Sequence, residues 1–293
     1  MKNIGIIDIG GNSARVVVFD KEINLINSEK VWPLLGREIN KHNKIRNKKI
    51  HNLVESLSSI INLQEQSIET PINWKIVGTS PFRRASNGTS AFKNIRKSLD
   101  INGDILSSQE EGKLSYIGVN KIMPESNKVV IDFGGGSTEF TYFDKSYNVE
   151  SKDFGTADIR NIIGKYPVEE HLQNIGMKFL ENQLSRLNTR VSEKSVIFCG
   201  GTARNLYEYI NNGKSLDRNN IASMNPSSLY KAINELCNLT IQEINDIKFI
   251  NKYRAEVLLS GLLIMKAILE HFDLLEFKIS PIGLREGVAS TLI

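Results

Sequence analysis

With 293 residues, the chain is long enough for one large domain or two ordinary ones, each with its own core. An apolar content of 40% and a charged content of 24% are typical of a soluble globular protein, and the net charge of +4 permits a polyanionic partner without requiring one. Two cysteines, Cys199 and Cys237, fit no metal-binding spacing and argue against a disulfide framework. Because Asp8 and nearby glycines interrupt the first apolar run, we expect no signal peptide and a cytoplasmic protein.

The first predicted element is a β-hairpin. An apolar run from Asn3 to Asp8 precedes two glycines, Gly10 and Gly11, and a second apolar run leads to Asp20. Apolar, β-branched runs of this length are typical of buried strands. Glycines between two strands let backbone N–H groups approach an anion closely. The first turn is therefore a candidate phosphate-binding loop.

Positive charge is concentrated between residues 37 and 49, where six basic residues accompany a single acid, Glu38. A solvated helix face or loop is the ordinary explanation of such a run. The functional alternative is a surface that gathers a long anion. Directly after it, apolar residues at helical spacing predict an amphipathic helix over 51–61.

A strand is predicted from Trp74 onward, and it ends in the small polar residues Thr79 and Ser80. Arg83 follows within one turn. In open α/β sheets the groups that bind ligands follow the carboxyl ends of strands. Ser80 and Arg83 are therefore candidates for binding an anion, with a surface arginine as the ordinary alternative for Arg83.

The next pattern is a capping box. Ser107 or Ser108, followed by Glu110 or Glu111, has the spacing in which a hydroxyl and a carboxylate satisfy the first amides of a helix. The pattern predicts that one glutamate caps a helix and that the other has a different role, without deciding which is which.

The stretch from Lys128 to Asp144 has the most informative pattern in the chain. A buried strand ends at Asp132, three glycines and two hydroxyl residues follow, and a second strand-like run begins after Glu139. The glycines and hydroxyls suit phosphate binding. An acid beside such a loop repels the anion unless a metal ion or a proton-transfer role explains it. An ordinary glycine-rich hairpin is the alternative.

The same pattern occurs twice, because residues 8–20 overlay residues 132–144 without a gap. The copies differ where their chemistry would differ, since Glu139 in the second stands where the first has Arg15. A repeat at domain length predicts two related domains, 1–122 and 123–293, with the last helix, at about 283–293, packing back on the first.

In the second half, long helices are predicted at 169–187 and 254–270, the latter strongly apolar. Between them a strand leads to Gly200 and Gly201, and a helix then begins. A helix N-terminus behind two glycines is suited to binding an anion, and Arg204 lies one turn into that helix.

Six motifs spread along the chain carry a family resemblance. They are Asp8-Ile-Gly-Gly-Asn12-Ser13, Gly78-Thr-Ser80-Pro-Phe-Arg83, Glu110-Glu111-Gly-Lys-Leu, Asp132-Phe-Gly-Gly-Gly-Ser-Thr-Glu139, Gly200-Gly-Thr-Ala-Arg204-Asn and Gly283-Leu-Arg-Glu-Gly287. Together they resemble the exopolyphosphatase / guanosine pentaphosphate phosphatase (Ppx/GppA) family, of the actin–Hsp70–sugar kinase superfamily. The resemblance implies an α/β fold of two ribonuclease-H-like domains flanking a cleft. It also implies a short form, without the C-terminal helical extension of longer members.

The resemblance assigns roles to single residues. Glu110 matches the family's catalytic base, which activates water, although the capping box leaves Glu111 open for that role. Arg83 matches an arginine that holds phosphate. Asp132 and Glu139 match acids associated with Mg²⁺ and the nucleophilic water, and Asp8 is a further candidate ligand for Mg²⁺. The candidate phosphate-binding residues are Gly11, Asn12, Ser13, Ser80, Gly134, Gly135, Gly136, Ser137, Thr138, Gly201 and Arg204.

We therefore expect a magnesium-dependent exopolyphosphatase that releases orthophosphate from the ends of inorganic polyphosphate. Guanosine pentaphosphate is the alternative substrate, since one site could serve either anion. More remote alternatives are a superfamily ATPase or sugar kinase and a non-catalytic phosphate sensor or filament subunit; the acids at 110, 132 and 139 argue against them. We also expect a homodimer, and neither nucleic acid nor a membrane as a partner.

Overall fold

The computed structural model describes residues 2–125, 127–189, 191 and 195–293. The strands in these ranges are β1 (Asn3–Ile9), β2 (Ala14–Phe19), β3 (Leu25–Val31), β4 (Ile72–Gly78), β5 (Gly103–Ile105), β6 (Lys128–Phe133), β7 (Thr138–Asp144), β8 (Ser146–Lys152), β9 (Ser195–Cys199), β10 (Ala222–Met224) and β11 (Phe277–Ile279). The helices are α1 (Leu35–His42), α2 (Asn47–Ser67), α3 (Ser80–Arg84), α4 (Gly88–Leu99), α5 (Ser108–Asn120), α6 (Thr156–Ile163), α7 (Glu170–Leu184), α8 (Gly201–Ile210), α9 (Pro226–Cys237), α10 (Ile241–Asp246), α11 (Lys252–His271) and α12 (Leu284–Ser290).

The chain forms two compact units. The first consists of Met1–Gly118 together with Leu284–Ile293, and the second of Val119–Gly283. The first unit therefore contains α12, which is separated from the rest of that unit by the whole of the second.

The sheet of the first unit has the strand order β3-β2-β1-β4-β5. β1, β2 and β3 are joined antiparallel, whereas β4 and β5 lie parallel to β1 and to each other. Side chains alternate between the two faces of β1, because successive residues of a strand point to opposite sides. Ile7 and Ile9 pack in a core with α1 to α4, and Ile4 and Ile6 pack in a second core with α12.

The sheet of the second unit has the order β10-β11-β9-β6-β7-β8. β6, β7 and β8 are antiparallel neighbours, and β9 and β11 extend the sheet in parallel from β6. This is the arrangement of the first sheet with β10 added at one edge. The two sheets thus share a strand order around the two glycine hairpins.

Hydrophobic burial explains the helices of the second unit. α11 is buried along most of its length and packs among α6, α7, α8 and α9. The sequence placed this helix at 254–270, and the structure confirms it as an apolar core helix. The helices predicted at 51–61 and 169–187 are present as α2 and α7. No helix in the described ranges combines the length and the apolar character that crossing a bilayer requires.

A half-buried carboxylate anchors the segment that follows α7. Glu150, on β8, accepts hydrogen bonds from the backbone N–H groups of Asn188 and Thr189 and from the Thr189 hydroxyl, at 2.9–3.1 Å, and its Oε1 lies 3.0 Å from Lys152 Nζ. Burial alone would raise the pKa of Glu150, but these hydrogen bonds, with Lys152 first among them, lower it below the ordinary value of 4.5. The ionised form is therefore stabilised by folding.

The substitution Glu150→Gln tests this anchor through its pH dependence. A depressed pKa contributes stability that is present above the ordinary glutamate pKa and is lost as the pH falls through the folded-state value. We expect the variant to unfold about 1–2 kcal/mol more easily than wild type near pH 7, and the difference to shrink below about pH 4.5. Urea denaturation at several pH values measures it.

Glu181→Gln, at an exposed position on α7 of the same unit, is the control and should leave stability unchanged at every pH. A pH-independent loss for Glu150→Gln would contradict the ionic part of this explanation.

Candidate active site

The turn between β1 and β2 is held by three backbone hydrogen bonds. The N–H of Gly10 donates to the carbonyl of Ser13 at 3.0 Å and closes the turn. The carbonyl of Gly11 accepts from Gly36 N–H at 2.7 Å, and that of Asn12 accepts from Leu34 N–H at 3.2 Å. The first candidate phosphate loop is thereby fixed against the beginning of α1.

Asp8 lies at the end of β1, next to this turn. It stands opposite Arg15 in the strand register, and its Oδ2 is 3.2 Å from a guanidinium nitrogen of Arg285, on α12. Burial raises the pKa of Asp8, while Arg285 and then Arg15 act in the opposite direction without offsetting it. Two guanidinium groups beside this carboxylate would repel a metal cation. Its surroundings therefore argue against the metal-ligand role expected for Asp8.

Arg83 and Glu111 form an ion pair in the same unit. Arg83, on α3, donates to Glu111 Oε2 at 2.7 Å and to the carbonyl of Leu106 at 2.8 Å. The Glu111 residue is only 8% exposed. The buried Ser80 begins the helix that carries Arg83, directly after β4. Arg83 thus fixes the Glu111 carboxylate in a buried position.

The neighbouring glutamate has a different environment. Glu110 Oε2 accepts from the backbone N–H and the hydroxyl of Ser107, both at 2.8 Å, and the N–H of Glu110 donates back to that hydroxyl at 3.2 Å. This is the predicted capping box, closed on Glu110. Glu110 is exposed to solvent. Since one glutamate was expected to cap the helix and the other to serve as base, this geometry favours Glu111, and not Glu110, as the base.

The turn between β6 and β7 repeats the first turn. The N–H of Gly134 donates to the carbonyl of Ser137 at 3.0 Å, in the position of the Gly10–Ser13 bond. The carbonyls of Gly134 and Gly135 accept from Thr156 N–H at 3.0 Å and Ala157 N–H at 2.9 Å, at the start of α6. Two carbonyl oxygens of the loop are thus occupied by the helix, which suits an anion-binding loop because a carbonyl oxygen would repel the anion.

Gly155 packs against this loop, and the sequence analysis did not identify it. A Cβ there would lie 2.4 Å from the backbone N of Gly136 and 2.5 Å from the carbonyl carbon of Gly135. One residue earlier, the carbonyl of Phe154 accepts from the Thr138 hydroxyl at 2.9 Å. The chain before α6 therefore packs directly on the loop, and only glycine fits at 155.

Asp132 and Glu139 stand opposite each other in the antiparallel register of β6 and β7, so both side chains lie on one face of the sheet. Glu139 is 1% exposed, and its Oε1 accepts from the Ser151 hydroxyl at 3.1 Å. Asp132 lies against Gly200, where a Cβ would be 3.3 Å from Asp132 Oδ1. The two carboxylates therefore border the phosphate loop side by side.

The second glycine pair is bordered by arginines. Gly200 has a φ of +97°, which favours glycine, and α8 begins at Gly201. Arg204 donates to the carbonyl of Pro281 at 3.0 Å. Arg254, at the start of α11, donates to the Thr202 hydroxyl at 3.1 Å, and burial, followed by the nearby Arg204, lowers the pKa of Arg254 to about 10.

Arg254 is a second site residue that the sequence analysis missed. A Cβ on Gly201 would lie 2.3 Å from its Nη2, so the guanidinium lies directly against the N-terminus of α8. The available signal was an arginine directly before the long apolar run of α11. Arg254 is only 6% exposed, and arginines are almost never fully buried unless they are paired, so its position is specific.

Asp132 and Glu139 suit a magnesium ion better as a pair than together with Asp8, the third ligand expected from the sequence. Mg²⁺ takes hard oxygen ligands and is commonly held by one or two carboxylates, with waters and substrate phosphates completing its shell. In the part of the chain that the structure describes, no cluster of three or more metal-ligating side chains occurs. The two acids beside the loop therefore fit the ion as a pair.

The predicted site residues fall into two groups, one in each unit. In the first unit these residues lie at the turn after β1 and in α3 and α5. In the second unit they lie at the turn after β6 and at the start of α8. The first unit contains Asp8, Gly11, Asn12, Ser13, Ser80, Arg83 and Glu110, and the second contains Asp132, Gly134, Gly135, Gly136, Ser137, Thr138, Glu139, Gly201 and Arg204.

Comparisons with known proteins agree with the motifs. The model of the Ppx/GppA phosphatase family matches residues 16–293. A Haemophilus influenzae protein described as a putative exopolyphosphatase is 27% identical over 310 residues, covering 100% of this chain and 92% of that protein. The fold is similar to that of the Aquifex aeolicus Ppx/GppA family member (TM-score 0.81, 22% identity, 99% of this chain and 97% of that chain). It is also similar to an exopolyphosphatase from Cytophaga hutchinsonii (TM-score 0.84, 20% identity, 99% and 97%).

The family model covers nearly the whole chain, and the solved structures have the same fold over their full length. The predicted α/β fold is thereby confirmed. The chain belongs to the Ppx/GppA phosphatase family.

Proposed function

We propose that this phosphatase-family protein is an exopolyphosphatase, which hydrolyses the terminal phosphoanhydride bond of inorganic polyphosphate and releases orthophosphate. The observation that carries the proposal is the pair Asp132 and Glu139 beside the Gly134–Ser137 loop. A loop built for an anion gains nothing from two adjacent acids unless a cation lies between acid and anion. Phosphoanhydride hydrolysis needs that arrangement, since cations offset the charge of the transferring group.

The loop Gly134–Ser137 is the proposed contact for a phosphate group of the substrate. The loop amides and the hydroxyls of Ser137 and Thr138 suit its oxygens. Asp132 and Glu139 would hold Mg²⁺, which when bound would neutralise part of the phosphate charge. Arg204 and Arg254 add positive charge at the start of α8.

In the first unit, Glu111 is the proposed general base. It would take a proton from a water molecule whose oxygen forms the new bond to phosphorus, while the bridging P–O bond breaks and the shortened chain leaves. Arg83 positions that carboxylate through the 2.7 Å ion pair. Glu110 instead stabilises the start of α5 through its bonds to Ser107.

Paired substitutions test the base. We expect Glu111→Gln to lower kcat for phosphate release from medium-chain polyphosphate by about 10²–10⁴-fold, with little change in KM, because only the transition state loses the proton acceptor. Glu110→Gln should lower kcat less than about threefold and reduce the free energy of unfolding by about 1 kcal/mol, as the loss of a cap does. Steady-state kinetics and urea denaturation measure the two effects.

The matched pair separates the two glutamates, which are adjacent in sequence and carry the same charge. If Glu110→Gln were inactive and Glu111→Gln active, the assignment made from the capping box would be overturned. Faster release of phosphate from guanosine pentaphosphate than from polyphosphate would make the nucleotide the substrate of the same site.

The metal role is tested by removing one of the paired acids. We expect EDTA to abolish wild-type activity, and Asp132→Asn to raise the Mg²⁺ concentration for half-maximal activity at least about tenfold, because one of two carboxylate ligands loses its charge. The rise in melting temperature that Mg²⁺ gives the wild type should be smaller in the variant, since the ion stabilises only the state that binds it.

Glu150→Gln, which removes an acid elsewhere in the same unit, is the control and should keep the wild-type response to Mg²⁺. Full wild-type activity in EDTA would rule out the proposed metal site.

A further inference from the structure

α1 presents a basic face to solvent. Leu35, Glu38 and Ile39 are buried beneath it, whereas Lys41 is exposed and Arg37 is partly exposed. Lys44 follows directly after the helix and is also exposed. Arg37 and Lys41 are one helical turn apart and therefore lie on the same side of α1.

A second basic segment is fastened to the first. Asn87, before α4, bonds the backbone N–H and carbonyl of Ile45, both at 2.8 Å, instead of capping its own helix. The hydroxyl and N–H of Ser86 both donate to the carbonyl of Asn43, at 2.7 and 2.9 Å. Arg84 reaches α1 through Asn40 Oδ1 at 3.2 Å. Arg37, Lys41, Lys44 and Arg84 form what we name the α1 surface.

The sequence around this surface is poor in acids. Residues 39–54 and 70–99 contain no aspartate or glutamate. The one acid of the basic run, Glu38, is buried and hydrogen-bonded to Arg46, which lowers the pKa of Glu38. Among the described residues, no acid forms an ion pair with Lys41 or Lys44.

The local sequence also departs from what helix stability favours. Lys48 and Lys49 occupy the first turn of α2, where the helix dipole favours acids, and no acid is present in that turn. Charge placed against local preference in this way is often functional.

The α1 surface is continuous with the candidate site in the same unit. The hydrogen bonds from Leu34 and Gly36 connect the start of α1 to the turn at Gly11 and Asn12. Arg84 is the next residue after Arg83, whose guanidinium binds Glu111. A linear anion bound at the turn of Gly11 and Asn12 can therefore extend along α1 within the same unit.

We propose that the α1 surface binds the part of a polyphosphate chain that lies beyond the terminal phosphates. This inference rests on the proposed function and adds a second contact region that short anions do not reach. Polyphosphate is the occupant that the charge complementarity favours, because it repeats a negative charge at every unit. The surface would then set the preference for long chains over short ones.

The test compares two double variants that remove the same charge from the same unit. Lys41→Gln/Lys44→Gln removes part of the α1 surface. Lys93→Gln/Lys97→Gln, on α4, removes two exposed lysines that line a separate groove with Asp100 and Asp104. Binding of long polyphosphate and of tripolyphosphate is measured by competition in EDTA, and hydrolysis of both is measured with Mg²⁺.

We expect Lys41→Gln/Lys44→Gln to weaken binding of long polyphosphate about tenfold and to reduce the slope of log K against log salt by about 1–2, as the loss of two phosphate contacts should. KM for long chains should rise by a similar factor with kcat unchanged, and tripolyphosphate should be unaffected. The Lys93→Gln/Lys97→Gln protein should match wild type within about twofold.

The outcomes separate this inference from the proposed function. If the wild type hydrolyses polyphosphate and Lys41→Gln/Lys44→Gln changes neither binding nor hydrolysis of long chains, the proposed role of the α1 surface is wrong and the proposed function stands. Selective loss of long-chain binding in a protein without hydrolytic activity supports the surface and overturns the function. Equal losses in both double variants show an effect of net charge alone and overturn the surface. An RNA oligonucleotide that binds as tightly and responds equally would reassign the surface to nucleic acid.

Discussion

The register between β6 and β7 places Asp132 directly opposite Glu139 on one face of the sheet. Two carboxylates in this relation have their Cβ atoms about 5 Å apart and repel each other. Glu139 Oε1 accepts a hydrogen bond from the hydroxyl of Ser151. The phosphate loop, Gly134–Ser137, is the turn of the same hairpin. The hairpin therefore combines two mutually repelling carboxylates with an anion-binding loop. A bound cation would attract both the carboxylates and the anion.

The corresponding pair in the first unit has no such requirement. Asp8 stands opposite Arg15, and Arg285 approaches from α12, so two guanidinium groups offset part of the cost of burying the aspartate. The backbone of the two turns is otherwise alike, down to the N–H···O bond that closes each of them at 3.0 Å. A change from glutamate to arginine at one register position thus separates a hairpin suited to a metal ion from a hairpin that is complete without one.

The sequence was sufficient to predict what local patterns determine. Strand runs, glycine turns and the repeat between them specified both hairpins, and the apolar run after Arg254 specified the core helix α11. The choice between Glu110 and Glu111 was beyond reach, because both fit a capping box. The folded chain distinguishes them, since Glu110 bonds Ser107 whereas Glu111 bonds Arg83, which arrives from α3. Arg254 and Gly155 were missed for the same reason, since each acts on a loop distant in the sequence.

The last helix has a consequence for how the protein is made. α12 supplies Leu284, Val288 and Ala289 to the core beneath β1, and Gly287 packs so closely on the backbone of Leu114 that a Cβ would lie 1.8 Å from its carbonyl oxygen. Domains generally fold during synthesis in the order in which they leave the ribosome. Here the unit that is begun first cannot be completed until residues 284–290 emerge, after the whole of the second unit has been translated. The nascent chain must therefore carry a first unit with an incomplete core beneath β1 while the second unit folds.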